Sequence, residues 1–350
     1  MQSLDEKTWG VFQLEAEFEC AKGIYLPTGD VTDGDVPFIT AKAGNNGLTR
    51  FIGNGTLFGG NRITIEKIRL SAYYQSAPFY CSHDVSVISN KYLDANNSQF
   101  IAEMIMRNGS KYSYGRQAQL NVVKRERIML PVTDSGEPDY AYMAEYVQQK
   151  RDAMLAKYRA YVETRIAELG EVAEIPALDE KEWKPIFISS RFELVRGREN
   201  NMAMLEDGDT PLISAKANNN GLKGFVHNPK KFIAGQCITL NNDGDGGAGL
   251  AYYQPANMAL DSHVTALIPL IDMSAFVMLF IANCISGLHG FFGHGLSISN
   301  LRAKRLRIML PVTDSGEPDY EYMEQYAKNM MLRKYRQYLA YLDRQKQRQE

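Results

Sequence analysis

The residue groups in this sequence that are typical of catalytic or ligand-binding sites lack the spacing that those sites require. The run GDGGAG at Gly244–Gly249 matches the phosphate-binding pattern GxGxxG, but a strand-like LAYYQ follows it and no acidic residue is placed to bind a ribose. The same stretch resembles the start of a calcium loop, with Tyr252 where that loop needs a glutamate. His289 and His294 bracket GFFG at a spacing that fits no common metal site. We therefore predict no catalytic residue and no metal site in this chain.

The strongest pattern in the sequence is a tandem repeat. Fourteen residues, RIMLPVTDSGEPDY, occur identically at Arg127–Tyr140 and Arg307–Tyr320, at an offset of 180. Upstream, PFITAKAGNNGL at Pro37–Leu48 matches PLISAKANNNGL at Pro211–Leu222, at an offset of 174. Self-similarity of this length at a nearly constant offset indicates a duplicated structural unit.

The two copies differ by insertions, because the offset rises from 174 to 180 along the chain. The main difference sets TIEKIRLSAYY at 64–74 against TLNNDGDGGAGLAYY at 239–253. Loops that diverge on a common scaffold are where binding specificity is usually found. We therefore expect these segments to distinguish the two copies functionally.

Composition and charge narrow the class of protein. The 350 residues are 45% hydrophobic and 23% charged, which is typical of a soluble chain with two ordinary domains. The polar, acidic N-terminus is unlike a signal peptide, and the apolar run Phe276–Ile285 is about half as long as a membrane helix. Four dispersed cysteines suggest a reducing, cytoplasmic location. A formal net charge of −2 argues against a protein that binds nucleic acid by itself, because phosphate contact needs a cationic surface.

Each copy divides into a mixed α/β head and a long helix, which predicts the α+β fold class. The predicted limits are 1–139 for the first head, 140–182 for the first helix and a linker, 183–319 for the second head, and 320–350 for the second helix. The helices carry apolar residues at three- and four-residue spacings, as coiled coils do. Ser98 and Ser274 are predicted to cap one short helix in each head.

We predict that the two long helices pack antiparallel as a coiled-coil spacer that joins the heads, with a pseudo-two-fold relation between the copies. The alternative is that each helix packs only on its own head.

The order head, helix, head, helix resembles the specificity (S) subunits of restriction–modification systems. The segments PFITAKAGNNGL, YSYGR at Tyr112–Arg116 and LPVTDSGEPDYAYM at Leu130–Met143 look most like the S subunits of bipartite type IIB systems, and the helices fit type I S subunits equally well. The resemblance implies that each head is a target-recognition domain for one half of a split double-stranded DNA site. It also implies that the helices form a spacer and dock a restriction/methyltransferase subunit.

The resemblance further implies a chain that is not an enzyme by itself and has no cofactor of its own. S-adenosylmethionine and Mg²⁺ are expected on the partner subunit. The alternative function is a duplicated, non-catalytic adaptor that binds protein or carbohydrate.

Comparison of the copies sorts the candidate binding residues. Residues that are identical in both heads cannot distinguish two half-sites, whereas residues that differ can read bases. The candidates for DNA backbone or framework roles are Lys42, Asn45, Asn46, Lys124, Arg125, Lys216, Asn219, Asn220, Lys304 and Arg305. The candidates for base reading are Arg50, Arg62, Arg107, Lys111, Arg116, Gln236, His289 and His294, with Arg62 set against Gln236 and Arg116 against His294.

Two alternatives that involve no DNA contact remain open for these residues. Asparagine followed by glycine is also ordinary turn chemistry, and the basic runs are equally typical of solvated strand ends. Tyr146 and Tyr326 are predicted to lie on the outer faces of the long helices and to dock the partner subunit.

The length of the helices predicts the spacing of the DNA target. About thirty residues at roughly 1.5 Å per residue give a rod of about 45 Å, part of which overlaps the heads. Two readers about one DNA turn apart fit two short, unlike half-sites with an unread spacer of about five to eight base pairs. Inserting four residues into both helices adds about 6 Å and should lengthen the preferred spacer by about two base pairs. Selection of bound sites from a random DNA library checks this, and a spacer that ignores helix length would contradict it.

Overall fold

The structure is a computed structural model that describes residues 2–201, 204–244, 247–293 and 295–347. The chain forms two compact units, Met1–Ala160 and Tyr161–Glu350. The boundary falls inside the first long helix, so each unit contains one head and part of the helical segments. The predicted head limits at 139 and 319 stay predictions.

The first head contains three small sheets. Its elements are β1 (Trp9–Gln13), α1 (Leu14–Glu17), β2 (Glu19–Lys22), β3 (Asp33–Ile39), β4 (Leu48–Ile52), β5 (Arg62–Glu66), β6 (Ala72–Gln75), β7 (Tyr80–Cys81), β8 (Val85–Ser89), α2 (Asn97–Met106), α3 (Leu120–Arg125) and β9 (Arg127–Pro131), followed by α4 (Tyr140–Leu169). The strand orders are β2-β8-β5-β6, β4-β3-β7 and β1-β9. All neighbouring strands are antiparallel except β3 and β7, which are parallel.

The second head repeats this topology and adds one strand, β14, which pairs antiparallel with β17. Its elements are β10 (Trp183–Phe187), β11 (Phe192–Arg196), β12 (Asp207–Ile213), β13 (Leu222–Val226), β14 (Phe232–Ile233), β15 (Cys237–Asn241), β16 (Ala251–Gln254), β17 (Met258–Leu260), β18 (Val264–Pro269), α5 (Ala275–Ser286), α6 (Asn300–Arg305) and β19 (Arg307–Pro311), followed by α7 (Tyr320–Gln347). The strand orders are β11-β18-β15-β16, β13-β12-β17-β14 and β10-β19. The predicted α+β class, with duplicated heads and two long helices, is confirmed.

A buried helix completes the core of each head. In the first head, Ile101 and Ile105 of α2 belong to one buried cluster with Ile63 of β5. Burying each such side chain stabilises the fold by about 1.5–3 kcal/mol. Trp9 of β1 stacks on Phe100 of α2 at a ring distance of 6.1 Å, and the matching rings of the second head lie 6.2 Å apart. The edge strand and the helix are thereby joined in both heads.

The short buried helices begin differently in the two heads. Ser274 caps α5 as predicted, because its hydroxyl accepts a hydrogen bond from the backbone N–H of Val277. The prediction for Ser98 is wrong, since this residue lies inside the first turn of α2 and is fully buried. Asp94 takes the role, with its carboxylate accepting from the backbone N–H of Asn97 at 2.7 Å. The carboxylate stands four residues before Ser98, so the helix begins earlier.

The repeated fourteen-residue motif fixes where each long helix starts. After β9, Asp139 accepts a hydrogen bond from the backbone N–H of Tyr142 at 2.9 Å and an ion pair from Lys7 at 2.8 Å. Asp319 repeats both contacts in the second head: it accepts a hydrogen bond from the backbone N–H of Tyr322 at 3.0 Å and pairs with Lys181 at 2.8 Å. Each aspartate is thus an N-cap that is also tied to the segment just before the first strand of its head.

The end of α4 packs against α7 within the second unit. Tyr335 hydrogen-bonds with Tyr161 and Arg165 of α4. About one turn and a half earlier in α7, the Asn329 side chain donates to the carbonyl of Ala173 at 2.8 Å and accepts from its backbone N–H at 3.1 Å. Rising numbers on one side meet falling numbers on the other, so these segments run antiparallel. The coiled-coil spacer over the full length of both helices and the pseudo-two-fold relation stay predictions. In the part of the chain that the structure describes, no helix is long and apolar enough to span a membrane.

The N-cap contacts predict a pH-dependent stability. Asp139→Ala should lower the free energy of unfolding by about 1–2 kcal/mol at pH 7, because it removes the cap and the partner of Lys7. Asp139→Asn keeps a capping side chain and loses only the charge, so its loss should be smaller.

The pKa of Asp139 gives the sign of the pH effect. Burial would raise this pKa, but the hydrogen bonds from Lys7 and from the backbone N–H of Tyr142 outweigh burial and hold it below its usual value. A lowered native pKa stabilises the fold above the unfolded-state value of about 3.9 and ceases to do so as the pH falls through the native value. Urea denaturation at pH 7 and near pH 3 checks this: the gap between wild type and Asp139→Asn should shrink in acid, and an unchanged gap would contradict it.

Candidate nucleic-acid interface

Three loops of each head form its candidate interface. We define them as loop A (40–47), loop B (67–71) and loop C (108–118) in the first head, and as loops A′ (214–221), B′ (242–250) and C′ (288–298) in the second. Loop B meets loop C where the backbone N–H of Ala118 donates to the carbonyl of Lys67 at 2.7 Å. Gly109 of loop C approaches loop B so closely that a Cβ would lie 2.3 Å from the carbonyl oxygen of Arg69. Loop C therefore requires glycine at this position.

The second head assembles its loops in the same way. Ile298 of loop C′ donates its backbone N–H to the carbonyl of Asn242 in loop B′ at 2.7 Å. His289 of loop C′ places its Nδ1 2.5 Å from the carbonyl of Ala248. Gly244 packs against the backbone of loop A′ at Ala215. The described residues of the glycine-rich loop thus contact both neighbouring loops.

Loop A is built from residues that the two heads share. Asn45 and Asn46 adopt the left-handed backbone conformation, with φ of 48° and 54°, and Asn219 and Asn220 repeat it. The Asn46 side chain donates to the carbonyl of Tyr74 at 3.2 Å, which attaches the loop to β6. The left-handed backbone and this contact explain why both heads have asparagine at these positions: the asparagines stabilise the turn.

The two lysines of these loops turn back onto the loop backbone. Lys42 donates to the carbonyl of Leu48 at 3.4 Å, and Lys216 to that of Leu222 at 2.9 Å. A framework role is thereby visible for both lysines, while contact with a DNA backbone stays a prediction.

Loop B is held by one buried carboxylate. Glu66 accepts hydrogen bonds from the backbone N–H groups of Ile68, Arg69 and Ser71 at 2.6–3.1 Å. In the second head Asn241 occupies this register position, and the longer loop B′ follows it. Arg69 is exposed and forms no ion pair with any described residue. The candidate base readers omitted Arg69, although it lies in the segment that the sequence comparison marked as divergent.

Loop C contains one anchored tyrosine, Tyr112, and the most exposed aromatic side chain of the three loops, Tyr114. Tyr112 donates its hydroxyl to Glu126, which also accepts from Lys111 at 3.1 Å. Burial and the Glu126 carboxylate raise the pKa of Tyr112 to about 12, so its proton stays in place. Tyr114 projects from the turn with 81% of its surface exposed, beside the exposed Arg116. Tyr114 was not among the predicted base readers; its place in YSYGR is the signal that could have found it.

The polar anchor of loop C becomes apolar in the second head. Phe292 and Leu306 stand where the first head has Tyr112 and Glu126, and both pack against the core of the second head. The two loops are therefore held by different forces on the same scaffold.

Strand pairing corrects two of the residue matches made from sequence. Arg62 pairs with Gln75 as Cys237 pairs with Gln254, so Arg62 corresponds to Cys237 and not to Gln236. Gln236 corresponds to Asn61, and both have a φ of 56°. The offset had already risen by one residue before β5, which the sequence motifs alone did not show.

The match of Arg116 with His294 is wrong for a related reason. The bridge from Ser113 to Arg116 corresponds to the bridge from Gly293 to Leu296, so Leu296 is the counterpart of Arg116. His294 itself lies outside the described residues.

The remaining candidates are dispersed. Arg50 is exposed on β4, directly after loop A. Arg107 lies 3.5 Å from Glu103 at the end of α2. Gln236 accepts from the hydroxyl of Tyr253 at 2.6 Å.

The basic runs end short helices instead of strands. Lys124 and Arg125 close α3, and Lys304 and Arg305 close α6. The contact between loops B and C therefore brings Arg69, Tyr114 and Arg116 onto adjacent loops. Arg62 and Arg107 lie outside these loops.

Tyr146 and Tyr326 do not lie on the outer faces of the long helices. Tyr146 meets the ring of Phe100 edge-on at 5.7 Å, and Tyr326 meets Phe280 in the same way at 5.5 Å. Both tyrosines are partly buried against the cores of their own heads. The predicted outer placement is wrong because the apolar face of each helix first covers the head from which it starts.

Comparisons with known proteins give a consistent result. The family model described as the type I restriction modification DNA specificity domain matches residues 6–156 and again 180–338. The chain is 26% identical over 162 residues to the specificity subunit S.BcgI of the type II restriction enzyme BgcI from Heyndrickxia coagulans. That match covers 45% of this chain and 48% of the relative, so the chain spans about half the length of the curated relative it matches.

A solved structure shares the fold. The S subunit of a type I restriction-modification system from M. genitalium superposes with a TM-score of 0.53 at 13% identity, over 98% of this chain and 95% of that one.

The placement of the two tyrosines predicts a stability effect. Tyr146→Glu and Tyr326→Glu should each lower the free energy of unfolding by about 2–4 kcal/mol, because a carboxylate would replace an aromatic contact in the core. Met154→Glu is the matched control on α4, since Met154 is 71% exposed, and it should change stability by less than about 0.5 kcal/mol. Thermal or urea unfolding of the three variants measures this. If all three variants were equally stable, the result would contradict the burial of the two tyrosines against their heads.

Proposed function

Because the chain belongs to the family of type I restriction modification DNA specificity domains, we propose that it reads a bipartite double-stranded DNA site for a restriction/methyltransferase subunit. Membership assigns the chain to the DNA-specificity part of restriction–modification systems and not to their catalytic part. Under this proposal each head is a target-recognition domain that reads one half-site. S-adenosylmethionine and Mg²⁺ would bind the partner subunit.

The proposal depends on one observation: the heads present different side chains from the same three-loop scaffold. In the first head, Arg69, Arg116 and Tyr114 are exposed on loops B and C. Arg116 is replaced by Leu296 in the second head, and loop B by a glycine-rich loop. Arginine pairs bidentately with guanine in the major groove, whereas an apolar side chain can contact the thymine methyl group. Two such heads are suited to two unlike half-sites.

The loops also explain how a chain of net charge −2 can serve this function. Arg69 and Arg116 are exposed on adjacent loops and pair with no described carboxylate, so they offer two local cations despite the overall balance. The partner subunit would neutralise the remaining phosphates. A weak, strongly salt-dependent interaction of the isolated chain with DNA is expected on this basis.

We further propose that the partner docks on the exposed parts of the long helices. Met154 of α4 and Tyr341 of α7 expose 71% and 47% of their surfaces, whereas Tyr146 is covered by its head. Among the described residues no three His, Cys, Asp or Glu side chains are grouped so as to hold a metal ion. The cytoplasmic location stays a prediction.

Variants of loops B and C test the reading of half-sites. Arg69→Gln and Arg116→Gln should each cost about 1–3 kcal/mol of specific DNA binding by the assembled complex and relax the preference at one half-site only. Arg107→Gln, which removes a cation of the same head outside the interface, should leave the base preference unchanged. Binding to a library randomised in both half-sites measures the effect.

Two results would count against the proposal. Relaxation at both half-sites would show that the heads do not read independently. An assembled complex without salt-dependent affinity for duplex DNA would favour the adaptor alternative.

A further inference from the structure

A polar cavity of about 280 Å³ lies in the first head, away from the three loops. It opens where β2 and β5 begin and β8 ends, beside the start of α4. Its lining residues are Glu19, Gly60, Asn61, Arg62, Ser89, Asn90 and Lys91. Two of these side chains are cationic and one is anionic.

Arg62 extends into this cavity without a charged partner. One guanidinium nitrogen, Nη1, donates to the hydroxyl of Ser89 at 2.9 Å. Its Nε is buried and finds no hydrogen-bond partner, and no described carboxylate lies within ion-pair distance of Arg62. An unpaired, partly buried guanidinium is unfavourable, because the lost hydration is not replaced. The second terminal nitrogen, Nη2, donates to no described residue and is therefore left for an anion.

The wall of the cavity around Arg62 is held in place by hydrogen bonds. Asn90 donates to the carbonyl of Glu17 at 3.1 Å and to the hydroxyl of Tyr140 at 2.7 Å, and Asn61 donates to the carbonyl of Leu93 at 2.7 Å. The cavity wall is thus fixed by hydrogen bonds that do not involve Arg62. Its open donors face a rigid site and need little reorganisation to bind a ligand.

The described residues of the second head form no equivalent of this site. The pairing of β11, β15 and β18 sets Cys237 against Arg62, Ile268 against Ser89, and Leu270 against Lys91. Both cations and the hydroxyl are replaced by apolar side chains, while the glutamate is kept as Glu193. The duplicated fold is therefore stable without a cation here, so Arg62 and Lys91 are not required by the topology.

We propose that this cavity binds one phosphate group. Arg62 and Lys91 both line the cavity and supply the planar fork and the point charge that phosphate oxygens accept from, and Ser89 adds a hydroxyl. Glu19 at the rim opposes the anion and limits affinity. The phosphate group belongs either to the DNA backbone, which rests on the proposed function, or to a free phosphate compound.

The first arm of the test uses the full chain without DNA. Inorganic phosphate is titrated by calorimetry at constant ionic strength, with chloride as the reference anion. Saturable binding is expected for wild type, at least tenfold weaker binding for Arg62→Gln and Lys91→Gln, and tighter binding for Glu19→Gln. Arg107→Gln is the matched control, because it removes an arginine of the same head outside the cavity, and it should bind phosphate as wild type does. Lys91 is exposed, so its variant tests the site even where Arg62→Gln weakens folding.

The second arm measures DNA binding by the assembled complex against salt concentration. A backbone phosphate in the cavity should give Arg62→Gln a salt slope smaller by about 0.9, with base preference unchanged. Phosphate binding with an unchanged slope identifies a free phosphate compound as the occupant.

Absence of both effects overturns the phosphate site. A complex that fails to bind DNA contradicts the proposed function, while the phosphate titration still decides the site.

Discussion

The ion pair between a lysine just before the first strand of each head and the aspartate just before each long helix determines how the rest of the structure is held. Lys7 and Asp139 come from opposite ends of the first head's sequence, and they meet because β1 and β9 pair antiparallel. Asp139 also caps α4, so the same carboxylate joins the entering chain to the departing helix. Trp9 then packs on α2, and the helix that follows covers the same core. Position and direction of the long helix thus follow from one polar contact and the strand pair beneath it.

On this fixed frame, the loops are attached by interactions that differ between the heads. Glu66 satisfies three backbone N–H groups in the first head, whereas the second head has a longer, glycine-rich loop at the same place. Loop C is anchored through the Tyr112–Glu126 hydrogen bond in one head and through apolar packing in the other. Because the anchors are local, one loop can change without disturbing the sheets. The fold separates the residues that hold the shape from those that face a ligand.

Much of this arrangement could be predicted from sequence, because repeats, helix periodicity and capping residues are local signals. The duplication, the α+β class and the starts of the long helices followed from such signals. The match of Arg62 with Gln236 failed because a one-residue shift before β5 is visible only in strand pairing. The outward placement of Tyr146 failed because helix periodicity shows that a face is apolar but not which surface covers it. Arg69 and Tyr114 were missed because exposure depends on how neighbouring loops pack.

The pairing of β1 with β9 has a consequence for synthesis on the ribosome. The first strand of each head has no partner until the last strand emerges, so neither small sheet can form until its head is almost fully translated. Long-range pairing of this kind is slow to form, and domains generally complete folding in order from the N-terminus. The first head can close before the second is made. The second, however, also needs Lys181 and Ala173 from the linker ahead of it. We therefore expect vectorial folding, in which Lys181 and Ala173 of the linker obtain their partners Asp319 and Asn329 only after the start of α7 has been made.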